Sequence, residues 1–143
     1  MKKMNNKGFS LVELIVVVLI MAIIAVALAP QVMKWVDKSR LSADRESYDN
    51  LISNVQVALT DKSIGDTCDA GYFYFSKSGA DASGCDDIVN ALASVNASWK
   101  TVKAKRDTTY KFYVSDDKQI KRGSGTGANA EDPANVEYEE ADS

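Results

Sequence analysis

Sixteen consecutive apolar residues, Leu14 to Ala29, constrain this chain more than any other feature of it. Extended back to Phe9, the run reaches 21 residues and is interrupted only by Ser10 and Glu13. At about 1.5 Å per helical residue it spans roughly 31 Å, the thickness of a bilayer's hydrocarbon core. A helix that is apolar on every side must be surrounded by lipid or by other apolar helices. Charged residues make up 26% of the 143-residue chain, yet Glu13 is the only one inside the run. The expected organisation is a short basic leader, one membrane-length helix and a soluble remainder after Pro30.

Composition removes whole classes of chemistry. The chain has no His. That takes away the commonest general base, the usual activator of Ser or Cys nucleophiles and the commonest metal ligand. Ser-His-Asp and Cys-His catalysis are excluded, as are His-containing zinc sites. No catalytic residue, cofactor or metal ligand is nominated, and the chain is read as non-enzymatic. The net charge of −3 gives no electrostatic case for a nucleic-acid partner.

Three readings of the N-terminal segment compete. The first is a removable secretory signal, with Lys2, Lys3 and Lys7 as its basic region and Ala27-Leu28-Ala29 as its cleavage site. It would release a secreted soluble binding domain. Glu13 inside the apolar stretch and Pro30 just after the cut weigh against it. The second is a plain single-span anchor, in which a carboxylate at the helix centre costs about 2.5–3.5 kcal/mol and demands a partner, although Glu13 lies near one end and can reach the interface. The third takes the whole string at once. Lys7-Gly8-Phe9-Ser10-Leu11-Val12-Glu13-Leu14, followed by the apolar run and Pro30, resembles the N terminus of type IV pilins and their pseudopilin relatives. Four features coincide: a basic leader ending in Gly8, an aromatic after it, a lone Glu four residues further on, and a Pro in an otherwise apolar helix. The resemblance covers about Met1 to Leu59.

That resemblance implies a life cycle. A dedicated prepilin peptidase cuts between Gly8 and Phe9 on the cytoplasmic face, and the new amine on Phe9 is N-methylated. Loss of the leader lysines leaves 14 basic residues against 20 acidic, a net charge of −6. Stored as a single-pass protein of the cytoplasmic membrane, the subunit then leaves the lipid and joins a helical homo-oligomer on the cell surface, a filament for adhesion, motility or aggregation. An assembly platform protein and ATPase are the implied partners. Glu13 pairs with the Phe9 amine of a neighbouring subunit and sets axial register, because a buried carboxylate needs a positive partner. A pseudopilin of a secretion or DNA-uptake machine is the alternative within the same superfamily. The implied fold class is α+β, a long N-terminal helix packed on a small antiparallel β-sheet head.

The residues after Pro30 carry helical periodicity of their own. Pro30 either kinks one long helix or ends a transmembrane one. Apolar residues recur at Val32, Trp35, Val36, Ala43, Tyr48, Leu51, Ile52, Val55, Ala58 and Leu59, among polar residues that include Asp37, Asp44 and Asp49. This predicts one interrupted helix from Phe9 to about Leu59, roughly 76 Å long, amphipathic in its second half. The expected divisions are a leader over 1–8, a filament-core helix over 9–30, an amphipathic helix over 31–60 and a head over 61–143.

In the head, Ser63 to Asp66 reads as the helix exit. Cys68 and Cys85 are the only cysteines, with no CxxC spacing and no His. On the translocated side of a membrane a disulfide between them is the natural expectation, worth about 3 kcal/mol on the chain-entropy account. Two buried free thiols are the alternative. The best-known pilins staple their C-terminal part instead. Tyr72-Phe73-Tyr74-Phe75 fits a short strand, a staple on the core or an intersubunit patch. Asp86 to Val95 reads as a helix, with acids at its N-terminal dipole and Ile88, Val89, Leu92 and Val95 inward. Trp99–Lys103, Tyr110–Ser115 and Gln119–Arg122 are expected as an antiparallel meander, and Val136–Glu139 as a further strand. Glu131 to Asp142 reads as a solvated acidic tail behind a glycine-rich stretch.

Three sharper readings attach to the head. Asp116, Asp117, Glu131 and Asp132 could bind Ca²⁺, although no EF-hand spacing is present. Lysines and arginines from Lys100 to Arg122 sit among Trp99, Tyr110, Phe112 and Tyr113, which could make a nucleic-acid face. A strand with one solvated basic side explains the same pattern more simply. Asn96-Ala97-Ser98 fits a glycosylation sequon.

Overall fold

The structure, a computed structural model, describes residues 8–122, and the expected strand at 136–139 lies outside them. The chain forms two compact units, Met1–Val36 and Asp37–Ser143. In the first unit the residues from Leu11 onward belong to helix α1 (Leu11–Ala58), which carries Pro30 in its interior. Pro30 therefore does not end the helix, although it has no N–H for the Val26 carbonyl. From Leu11 to Val36 no residue of α1 is buried by the rest of the chain.

The second unit is built on the amphipathic part of α1. Leu41, Asp44, Tyr48, Leu51, Ile52, Val55 and Ala58 are its buried residues, spaced three and four apart on one face. Val32, Trp35 and Val36, expected on that stripe, are exposed, and Ala43 is half-buried. After the helix exit come β1 (Gly71–Ser76), β2 (Gly79–Gly84), α2 (Asp86–Val95), a single 3₁₀ turn (Trp99–Thr101), β3 (Tyr110–Val114) and β4 (Ile120–Arg122). The sheet order is β2-β1-β3-β4, with every neighbouring pair antiparallel.

Strand alternation sends Phe73, Phe75, Tyr110, Phe112 and Val114 into the core and leaves Tyr72, Tyr74, Lys111 and Tyr113 on the other face. Phe73 stacks on Phe112 at 5.4 Å, and Tyr48 meets Phe112 edge-on at 5.8 Å. The Tyr48 hydroxyl donates to the Lys111 carbonyl at 3.0 Å, so its ring is buried without stranding a polar group. Helix α2 contributes Ile88, Ala91 and Leu92 to the same core. Val95 is exposed rather than inward.

Two expectations are corrected. Residues 99–103 are not a strand. Asn96 Oδ1 accepts from the Ser98 N–H at 3.0 Å, and this Asx turn leads into the 3₁₀ turn that seats Trp99 against Phe73 at 5.7 Å. The sheet is also not a simple meander. Two hairpins lie side by side, with β1 and β3 central and the chain between them passing through α2. β2 has the sequence GADASG, which no strand propensity favours. It is a strand because the turn at Lys77-Ser78 folds it onto β1 in full register.

Candidate functional site

At the start of α1 the chain forms a reciprocal capping box. The Ser10 N–H donates to Glu13 Oε2 at 3.0 Å, and the Glu13 N–H donates to Ser10 Oγ at 3.3 Å. Two donors that a helix N terminus leaves without intrahelical partners are thus satisfied, and the carboxylate sits at the positive end of the helix dipole. Gly8 lies in open space and Phe9 is 89% exposed, so the peptide bond between them is sterically accessible. Sequence reasoning singled out Glu13 for its charge but missed Ser10. The S-x-x-E spacing was the signal available.

Beyond the box, Leu11–Ala58 is the one helix among the described residues long and apolar enough to cross a membrane. None of its most apolar window is buried within the protein. Trp35, 69% exposed, follows the run beside Lys34 and Lys38, where an amphipathic ring suits a membrane–water boundary.

In the head, the group that sequence reasoning placed wrongly is Asp44. Expected among the solvated polar residues, it is 0% exposed. Its carboxylate accepts from the Lys105 N–H at 2.6 Å, the Arg106 N–H at 3.1 Å and the Tyr110 hydroxyl at 3.1 Å. The Arg106 side chain meanwhile donates to Asp37 at 3.1 Å. A buried carboxylate is tolerated where its lone pairs are filled in this way. Burial first, then the Asp44 charge, push the Tyr110 hydroxyl up to about 12.

Cys68 and Cys85 are both buried, free thiols in one core cluster. Burial pushes the Cys85 thiol up to about 12, and the Cys68 thiol adds to the push, which places the two within electrostatic reach. Cys68 Sγ lies 3.3 Å from the Ser115 carbonyl. Gly84 and Cys85 both take left-handed backbone, φ 74° and 62°, and together turn β2 into α2.

The remaining candidates separate. Among the described residues no group of three or more His, Cys, Asp or Glu is placed to hold a metal. Asp117 is held below the usual carboxylate range by the Ser115 hydroxyl, while Glu131 and Asp132 lie outside the described residues. Trp99, Tyr110 and Phe112 are core residues, so the basic–aromatic interleaving does not form one surface.

Comparison with known proteins bears on the N-terminal segment. A family model described as the prokaryotic N-terminal methylation motif matches residues 3–29. No curated protein and no solved structure matches the chain. Residues 3–29 thus give this chain the prepilin signature of type IV pilins and pseudopilins, carried on a pilin-like α+β architecture.

Proposed function

We propose that this chain is the structural subunit of a type IV pilus. The leader, residues 1–8, is removed by prepilin peptidase between Gly8 and Phe9, and the Phe9 amine is methylated. Residues 9–30 then leave the membrane to form the filament core, with residues 31–60 and the head over 61–143 following on its outside. Glu13 pairs with a neighbour's Phe9 amine and sets register. The platform protein and ATPase drive assembly, and the product is a surface filament for adhesion, motility or aggregation. On the translocated side Cys68 and Cys85 form a disulfide that ties the start of the head to the start of α2.

One observation carries this reading: the methylation motif coincides with a membrane-length helix whose apolar residues are exposed among the described residues. Apolar surface of that extent needs lipid or sister helices around it. Release after Ala29 fits poorly, because Glu13 interrupts the apolar stretch and Pro30 would directly follow the cut. The test is the N-terminal residue and intact mass of protein from its native host. A chain beginning at Phe9 with one extra methyl supports the prepilin route, and two fewer hydrogens support the disulfide. A start at Pro30 means an exported domain, and a start at Met1 or Lys2 means a plain anchor. Filament imaging then separates a long pilus from the short assembly of a pseudopilin.

A further inference from the structure

The face of the sheet turned away from α1 has a chemistry of its own. Tyr72 and Tyr74 on β1 and Lys111 and Tyr113 on β3 are half-buried, and Lys121 on β4 is exposed. Register brings them together: Tyr72 lies opposite Tyr113, Tyr74 opposite Lys111, and Tyr113 opposite Lys121. The Tyr72 and Tyr113 rings are 5.0 Å apart, and the Lys111 ammonium stands 5.1 Å over Tyr72. Asp81 on β2 is met by Lys100 at 3.5 Å, and Asp117 in the turn before β4 lies within electrostatic reach of Lys121. What remains is a band of tyrosine rings with two lysines across the middle and one edge of the sheet.

We propose that the acidic C-terminal segment of the same chain, Glu131 to Asp142, docks on this tyrosine–lysine face. Two features of the sequence favour that occupant. Residues 123–143, which lie outside the described residues, carry six carboxylates and no Lys or Arg. The chain also leaves the sheet in the right place. Arg122 pairs with Phe112, so the segment departs from β4 beside the position of Lys111. The eight residues Gly123–Ala130 separate the acidic segment from Arg122, and a chain of that length spans at most about 26–29 Å. The two strand spacings from β4 to β1 need only about 10 Å. A tether of that length supplies an effective concentration in the millimolar range. A free polyanion such as single-stranded nucleic acid must compete with it, against the chain's net negative charge. The carboxylates meet Lys111 and Lys121, while Val136 and Tyr138 supply apolar contact to the rings. Docking does not depend on leader cleavage or filament growth.

Tyrosine nitration of the full chain in detergent micelles, read peptide by peptide, tests this. The comparison is with a variant whose six tail carboxylates are changed to their amides, which removes the charge and keeps each side chain's shape. At low salt Tyr72 and Tyr113 should nitrate several-fold faster in the variant, while buried Tyr48 and Tyr110 stay unreactive in both. Near 1 M salt, where the Debye length falls to about 3 Å, the difference should vanish. The paired change Lys111→Glu and Lys121→Glu, with the tail intact, should also expose the two rings. Equal low-salt rates in the two chains overturn the proposal. So does protection that rises with protein concentration, because a neighbour's tail would then be the occupant. Binding of a labelled oligothymidylate to the unaltered chain at physiological salt overturns it as well, since the face would be open to nucleic acid.

Discussion

Asp44 is the residue on which the head's attachment to its helix turns. Three donors converge on its carboxylate, two of them backbone N–H groups of the loop before β3. Asp44→Ala removes the acceptor the three donors share and strands the two part-buried backbone N–H groups, at a cost of about 1–3 kcal/mol. Asp44→Asn keeps one acceptor oxygen and should cost less. Thermal unfolding of the full chain in micelles measures both, and an Asp44→Ala variant as stable as the parent would refute the network's importance. The position was legible in principle. Leu41, Asp44, Tyr48 and Leu51 are spaced three and four apart, so Asp44 belongs to the apolar stripe. Its charge argued for the opposite face, and the partners that reverse that argument lie some sixty residues away. Single-sequence reading does not see them.

Alkaline stability turns on Tyr110 and on the two thiols, all of which burial pushes up. Tyr110 and Cys85 both ionise near 12 in the fold, against ordinary values of 10.0 and 9.0. A raised pKa means that the fold holds the proton more tightly than the unfolded chain does. The stabilisation is therefore fully present below about pH 9 and is lost progressively as the pH climbs to about 12. Tyr110→Phe should remove the upper part of that loss. Forming the Cys68–Cys85 disulfide should remove the lower part, because no thiol is left to ionise. Unfolding midpoints measured between pH 8 and 12, with and without reductant, check both. A reductant-independent profile in protein shown to be oxidised would count against the thiol's share.

At the scale of elements, local signals were readable where they were strong. Asp86–Val95 is helical because acidic residues occupy its first turn and apolar ones recur at helical spacing, and the sequence carries both. β1 and β3 alternate aromatic and outward-facing residues in plain view. β2 and the turn at Trp99 were not readable, because pairing with β1 and the Asn96 Asx turn override weak or contrary propensities. Gly71 shows how tightly β1 is set. A Cβ there would come within 2.8 Å of Cys85 Sγ and 2.9 Å of Gly84 Cα. Gly71→Ala forces the start of β1 away from the β2–α2 junction and should destabilise the head by about 1–3 kcal/mol, as overpacking does. Pro30 acts in the other direction. A proline inside a helix costs about 3 kcal/mol relative to alanine, so Pro30→Ala should stabilise α1 and slow amide exchange over the following turn. Unchanged exchange there would mean that the missing N–H is already compensated.

For the whole molecule, the question is how one carboxylate survives in an apolar helix through two environments. The Glu13 carboxylate accepts from the Ser10 N–H in the capping box, so on the proposed function it would enter the membrane already hydrogen-bonded. On the proposed function, cutting at Gly8 would place a new ammonium one residue from Ser10, and the filament would offer a neighbour's ammonium in a dry core. Membrane insertion and assembly therefore make different demands on the same side chain. Glu13→Val removes the carboxylate's half of the box and the charge, while the backbone N–H at that position still donates to Ser10 Oγ. Insertion should persist, because Val favours the apolar phase, but filaments should be lost for want of a registered ion pair. Ser10→Ala breaks the box alone, costing the helix start about 1 kcal/mol, and should leave filaments in place. Membrane fractionation and filament imaging of the two variants read these effects separately. Normal filaments from Glu13→Val would show that packing of the apolar helices alone sets the register. Loss of filaments in Ser10→Ala would mean that the orientation of the carboxylate, as well as its charge, is needed for the neighbour's amine to find it.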